Sequence, residues 1–109
     1  MAARLNQYIL DGGALYAVER DGALVGLILL FAKTKQLSQL FLAPHAQRAG
    51  IGKACLHFVQ QELPGGFWLT VAEANAGAIR FYEANGLEFK SRDYRDAYDR
   101  FDLRYYWSP

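Results

Sequence analysis

The stretch QRAGIGKACLHFVQQEL, Gln47–Leu63, sets Gly50 and Gly52 one residue apart and runs straight into apolar residues at helical spacing. Cys55, Leu56, Val59 and Leu63 recur three or four residues apart, which predicts an amphipathic helix over 52–62. The start of a helix leaves its first N–H groups without partners and carries the positive end of the aligned peptide dipoles. Glycines at that place permit a tight turn, or they clear side chains so that an anion can rest against bare backbone. Arg48 and Lys53 add positive charge at the rim. A Walker loop is excluded, because only Gly52-Lys53 fits it and Ala54 takes the place of the hydroxyl residue. A dinucleotide fingerprint is excluded too, since Cys55 stands where the third glycine belongs. On the loop alone, turn and anion seat remain equal.

Working outward, ALYAVE (14–19) and ALVGLILLFA (23–32) flank Asp21-Gly22 and read as a hairpin. Leu37–Leu42 is a third strand, with Leu40 and Leu42 on one face and Phe41 on the other, and Pro44 ends it. Pro64-Gly65-Gly66 closes the helix, and FWLTV (67–71) is the next strand. A strand, a crossover helix and another strand join parallel neighbours, so 37–42 and 67–71 are expected side by side. Asn75 opens a second helix with Ala78, Ile79 and Tyr82 on its apolar side, and Asn85-Gly86 supplies a left-handed cap. Residues 87–93 and 100–107 are the last two strands. At the other end, Leu5, Tyr8 and Ile9 predict a short helix over 3–11, stopped by Asp11-Gly12-Gly13. The expected fold class is α/β: a mixed, mostly antiparallel sheet with a central parallel strand pair and flanking helices.

Composition bounds the rest. The 109 residues suit one domain, 1–109, and 52% hydrophobic with 15% aromatic content supplies a full core. A net charge of +1 gives no general electrostatic case for nucleic acid or for an anionic membrane. The apolar run 23–32 is too short to span a bilayer and reads as a buried strand. Cys55 is the only cysteine, so no internal disulfide forms, and its apolar neighbours predict a buried thiol rather than a nucleophile. His45 and His57 lack a third ligand at metal spacing, so no metal is expected. A reducing, cytoplasmic setting follows as the expectation.

Two linked segments decide between the readings of the loop. Gln47-x-x-Gly50-x-Gly52 follows a strand, and VAEANAGAIRFYEANGLEF (71–89) carries Asn75, Ala78, Phe81-Tyr82 and Gly86-Leu87 in a fixed arrangement. In that order they resemble the GNAT superfamily of acetyl-coenzyme A dependent N-acetyltransferases, over about residues 14–107, departing at Leu87 where the family has phenylalanine. The resemblance implies the acyl-CoA N-acyltransferase-like fold and acetyl-CoA as acetyl donor. It implies that the backbone of Arg48, Ala49, Gly50, Ile51, Gly52 and Lys53, with Gln47, holds the coenzyme diphosphate. Phe41 and Leu42 would pair through their backbone with the pantetheine arm. Asn75 would touch that arm or shape the thioester pocket, and Tyr82 would protonate the departing thiolate. Each has a plainer reading. Asn75 is a good helix cap, Tyr82 a core aromatic, Gln47 a brace, and Arg48 and Lys53 solvated charges.

The implied function is acetyl transfer to a primary amine of a small molecule or peptide by direct attack. The alternative is a non-catalytic acetyl-CoA-binding or regulatory module. Two departures separate them. The strand LSQLFL offers Gln39 where relatives often carry a glutamate base, which leaves a water relay or Glu73. The strand and helices that usually precede the first hairpin are also expected to be missing, truncating the acceptor wall unless a second subunit of a homodimer completes it. The tail SRDYRDAYDRFDLRYYW (91–107) reads as a solvated hairpin with cross-strand charge pairs, in preference to an acidic rim for a cationic amine.

Overall fold

The computed structural model describes residues 4–10, 12–47 and 50–109. The chain divides into two compact units, the first ending at Pro64 and the second beginning at Gly65.

The first unit is a four-stranded antiparallel sheet in the order β1 (Arg4–Leu10), β2 (Gly13–Arg20), β3 (Ala23–Phe31), β4 (Gln36–Leu42), with helix α1 (Ile51–Glu62). Asp21 and Gly22 hold φ of 55° and 78°, the doubly left-handed bend that matches strand twist, so the Asp-Gly signal produced the expected hairpin. Tyr16, Val18, Ile28 and Leu30 on the sheet, with Cys55, Leu56 and Val59 on α1, form the buried core. The Tyr16 and Phe58 rings meet edge-on at 4.8 Å, tying β2 to α1. Burying side chains of this size stabilises by roughly 1.5–3 kcal/mol each. Gly26 is required for packing: a Cβ there would lie 2.5 Å from the Phe41 carbonyl oxygen on β4.

One expectation is overturned here. Residues 4–10 form strand β1, paired in continuous register with β2 from Arg4 opposite Glu19 to Leu10 opposite Gly13. So short a helix is marginal alone, whereas pairing with β2 satisfies a full row of backbone groups. Asn6 donates to the Glu19 carboxylate across the pair. Only residues 11 and 12 separate β1 from β2.

The second unit is a three-stranded antiparallel sheet in the order β5 (Phe67–Ala72), β7 (Arg100–Trp107), β6 (Glu88–Arg95), with helix α2 (Ala76–Ala84). Phe67, Leu69, Val71 and Tyr105 are buried, and Phe67 stacks on Trp107 at 5.6 Å. The expected end of α2 is present in detail. Gly86 takes φ of 87°, its N–H bonds the Glu83 carbonyl at 3.2 Å, and the Leu87 N–H reaches the Tyr82 carbonyl at 3.1 Å. That pair of bonds is a Schellman closure, and Leu87 is buried beneath it. No helix among the described residues is long and apolar enough to cross a membrane.

Candidate active site

The chain carries its candidate residues on α1 and the loop before it in one unit, and on α2 in the other. In the first unit, β4 ends at Leu42, and Pro44–Ala46 make one 3-10 turn before the glycines. Gln47 braces this turn: its Nε2 donates to the Leu42 carbonyl at 3.0 Å. That bond occupies one acceptor site of Leu42, a backbone group expected to face the pantetheine arm. Phe41 lies opposite Leu27 on β3 and is 56% exposed, an unusual placement for a phenylalanine within a strand.

Gly50 is the N-cap of α1, with φ of 77° and ψ of 3°. The left-handed geometry explains the glycine, and no heavy atom lies within 4 Å of where a Cβ would sit. The first intrahelical bond runs from the Ala54 N–H to the Gly50 carbonyl at 3.2 Å. The N–H groups of Ile51, Gly52 and Lys53 therefore have no partner inside the helix. Among the described residues no side chain caps this end, and no acidic residue occupies the first turn. Ile51 and Gly52 are buried while Lys53 is exposed. Arg48 and Ala49, also expected at this seat, lie outside the described residues.

In the second unit, Asn75 caps α2: its Oδ1 accepts from the Ala78 N–H at 3.2 Å. The structure thus uses Asn75 for its plainer role, with only the side-chain amide N–H groups left over. Tyr82 is the buried residue of α2, 8% exposed, and burial pushes its phenol up to about 12. Its hydroxyl makes no hydrogen bond among the described residues. Tyr105 is buried more deeply and donates to Glu83 Oε2 at 2.7 Å, fastening α2 to β7 one residue from Tyr82. Burial and that carboxylate also push Tyr105 up to about 12.

Glu73 was the side-chain alternative to a water relay for the proton of the attacking amine. Arg92 engages both its oxygens, Nε at 2.5 Å and Nη2 at 3.0 Å, and the guanidinium hydrogen bond holds the carboxyl below its ordinary range. A carboxylate so held is a weaker base. Gln39 stays exposed on β4. Cys55 is buried as expected, and burial pushes its thiol up to about 11, away from nucleophilic use.

The tail holds the expected charge pairs with one departure. Asp102, opposite Asp93 on β6, is buried rather than solvated, and takes Arg100 Nε at 2.9 Å and Arg95 at 4.0 Å. Two carboxylates directly opposite would repel, and the arginines offset this. Trp68 packs under the Arg104 guanidinium at 3.8 Å, so both tryptophans serve packing. Sequence reasoning missed the Glu83–Tyr105 and Glu73–Arg92 contacts, because no local pattern links residues that far apart in the chain, and it missed the burial of Asp102.

With this geometry in view, residues 2–87 match the model of the acetyltransferase (GNAT) family. The chain belongs to that family. The peptidyl-lysine N-acetyltransferase YiaC of Escherichia coli (strain K12) is 38% identical to it over 78 residues. That match covers 72% of this chain and 52% of YiaC, so the chain spans about half the length of that relative. A GNAT acetyltransferase from Elizabethkingia anophelis, crystallised with acetyl-CoA bound, superposes with a TM-score of 0.80 at 14% identity, covering 90% of this chain and 77% of that one. The SpeG spermidine N-acetyltransferase of Vibrio cholerae gives 0.70 at 20% identity, covering 90% and 65%. At these identities the likeness carries the fold. The fold class is the expected one, α/β, with mostly antiparallel strands and flanking helices.

Proposed function

We propose that this chain is an acetyl-CoA-dependent N-acetyltransferase that acts by direct attack of a primary amine on the thioester. The observation that carries the reading is the start of α1: a left-handed glycine, no side-chain cap, no acid in the first turn and at least three amides without helical partners. Such a terminus suits a diphosphate, which supplies the missing acceptors and meets the positive end of the dipole. In this reading the backbone from Arg48 to Lys53 binds the diphosphate, with Lys53 adding charge and Gln47 keeping the turn in shape. Phe41 and Leu42 pair with the pantetheine arm, and the exposed Phe41 ring gives it an apolar rail. The coenzyme supplies an acetyl group already activated as a thioester.

Tyr82 is the proton donor. Because burial raises its phenol to about 12, it stays protonated throughout the neutral range and always offers an O–H to the leaving sulfur. Asn75 holds the start of α2 through its Oδ1, and its side-chain amide N–H groups remain for the pantetheine arm. The amine proton leaves through water, since Glu73 is engaged by Arg92. The acceptor is a lysine side chain of a peptide or a small polyamine-like amine, the two classes named by the relatives. The chain acts as one domain.

The test is a melting scan with acetyl-CoA, followed by thiol release with a lysine peptide and with spermidine. A ligand that binds only the native state raises the melting temperature. A shift with thiol release is expected, and no shift at saturating coenzyme would remove the reading. A second reading, a coenzyme-binding module without catalysis, is favoured by the two-residue connection between β1 and β2, which leaves no chain there for an acceptor wall. It predicts the shift without release. A second copy of the chain completing that wall would reconcile the two, and turnover would then rise with protein concentration.

A further inference from the structure

At the opposite end of α1 from the glycines, about 18 Å along a twelve-residue helix, lies a cavity of about 430 Å³. Its volume falls within the usual range for small-molecule sites. Leu30, Leu63 and Ala14 give it apolar walls, while Tyr16, Lys33 and Glu62 give it polar groups. No role proposed above uses any of them.

Two features at this end are unexplained by folding alone. Glu62 is an acid in the last turn of α1, at the negative end of the dipole, and that turn holds no basic residue. This placement is unfavourable unless a cation joins it. Lys33 lines the same cavity yet forms no ion pair with Glu62 among the described residues. The Tyr16 ring is 7% exposed, and its hydroxyl donates to Glu62 Oε1 at 3.2 Å, which fixes the carboxylate at the cavity wall. A negative and a positive group thus share one cavity without neutralising each other.

We propose that this cavity binds a small zwitterion carrying a primary ammonium and a carboxylate, the ammonium at Glu62 and the carboxylate at Lys33. The carboxylates pair with the opposite charges through charge-assisted hydrogen bonds, and the apolar walls take the methylenes between them. The occupant is of the ω-amino acid class.

The experiment titrates nitrogen-15-labelled protein with glycine, 4-aminobutyrate and 6-aminohexanoate, and with butylamine and butyrate as single-charge controls. At least one ω-amino acid should shift the amides of Gly13, Lys33 and Leu63, binding about tenfold or more tighter than either control. Glu62→Gln and Lys33→Gln, both at exposed positions, should each weaken it about tenfold. Absence of shifts with all three amino acids overturns the proposal, as do equal binding of a control and unchanged binding in both variants.

Discussion

Helix α2 begins on Asn75, whose side chain takes the Ala78 amide, whereas α1 begins on Gly50, which has no side chain to offer. A capping side chain contributes only a few tenths of a kcal/mol over glycine at such a position, so leaving α1 without one costs folding little. Flanking sequence sharpens the contrast. Around Gly50 stand Arg48 and Lys53, and after Asn75 come Ala76, Gly77 and Ala78, with no charge at all. One terminus is finished by the chain itself. The other leaves its first amides without a side-chain cap among the described residues, and the proposed function rests on that contrast.

The largest effect should come from placing an acid at the open terminus. Gly50→Glu forces a left-handed φ on a side-chain residue, at about 1–2 kcal/mol, and sets a carboxylate before the amides. The acetyl-CoA-dependent melting shift should disappear, and a full shift in this variant would break the comparison. Next, Tyr82→Phe should cut turnover roughly a hundredfold while leaving coenzyme affinity unchanged, read as kcat against the melting shift.

The same residue gives a signature in pH. Its folded pKa of about 12 lies above the unfolded value of 10, so Tyr82 contributes stability that is whole below pH 10 and fades as pH rises towards 12. Tyr105 shares both the direction and the window. Melting temperature should therefore fall across that interval, and less steeply in Tyr82→Phe.

Smaller again, Asn75→Ala should destabilise by about 1 kcal/mol, with Asn75→Asp restoring it through the same cap. If Asp restores stability but not turnover, the Asn75 amide N–H groups have a second role. The smallest effect is reserved for Glu73→Gln, which breaks an exposed pair with Arg92. Turnover and its pH profile should not change, and a lost basic limb would return Glu73 to the mechanism as base.

Legibility in the sequence tracked the distance over which each feature is decided. Asp21-Gly22, Asn85-Gly86 and Gly50 were readable because a left-handed backbone is a preference of one or two residues. The period of α1 was readable because burial on one face repeats along the chain. Residues 4–10 were not. Leu5, Tyr8 and Ile9 fit a helix by spacing, and only the presence of β2 alongside makes the strand the better home for their backbone.

The site divides in the same way. The uncapped start of α1 and the cap of α2 follow from residue type and position, so the sequence alone determined which helix start a side chain closes and which it does not. What each remaining side chain is free to do was decided in three dimensions. Arg92 reaches Glu73 across 19 residues, Tyr105 reaches Glu83 across 22, and Tyr16 reaches Glu62 across 46. Such pairings depend on which strands and helices come to lie against one another, and burial then sets the proton affinities of the groups they bring together.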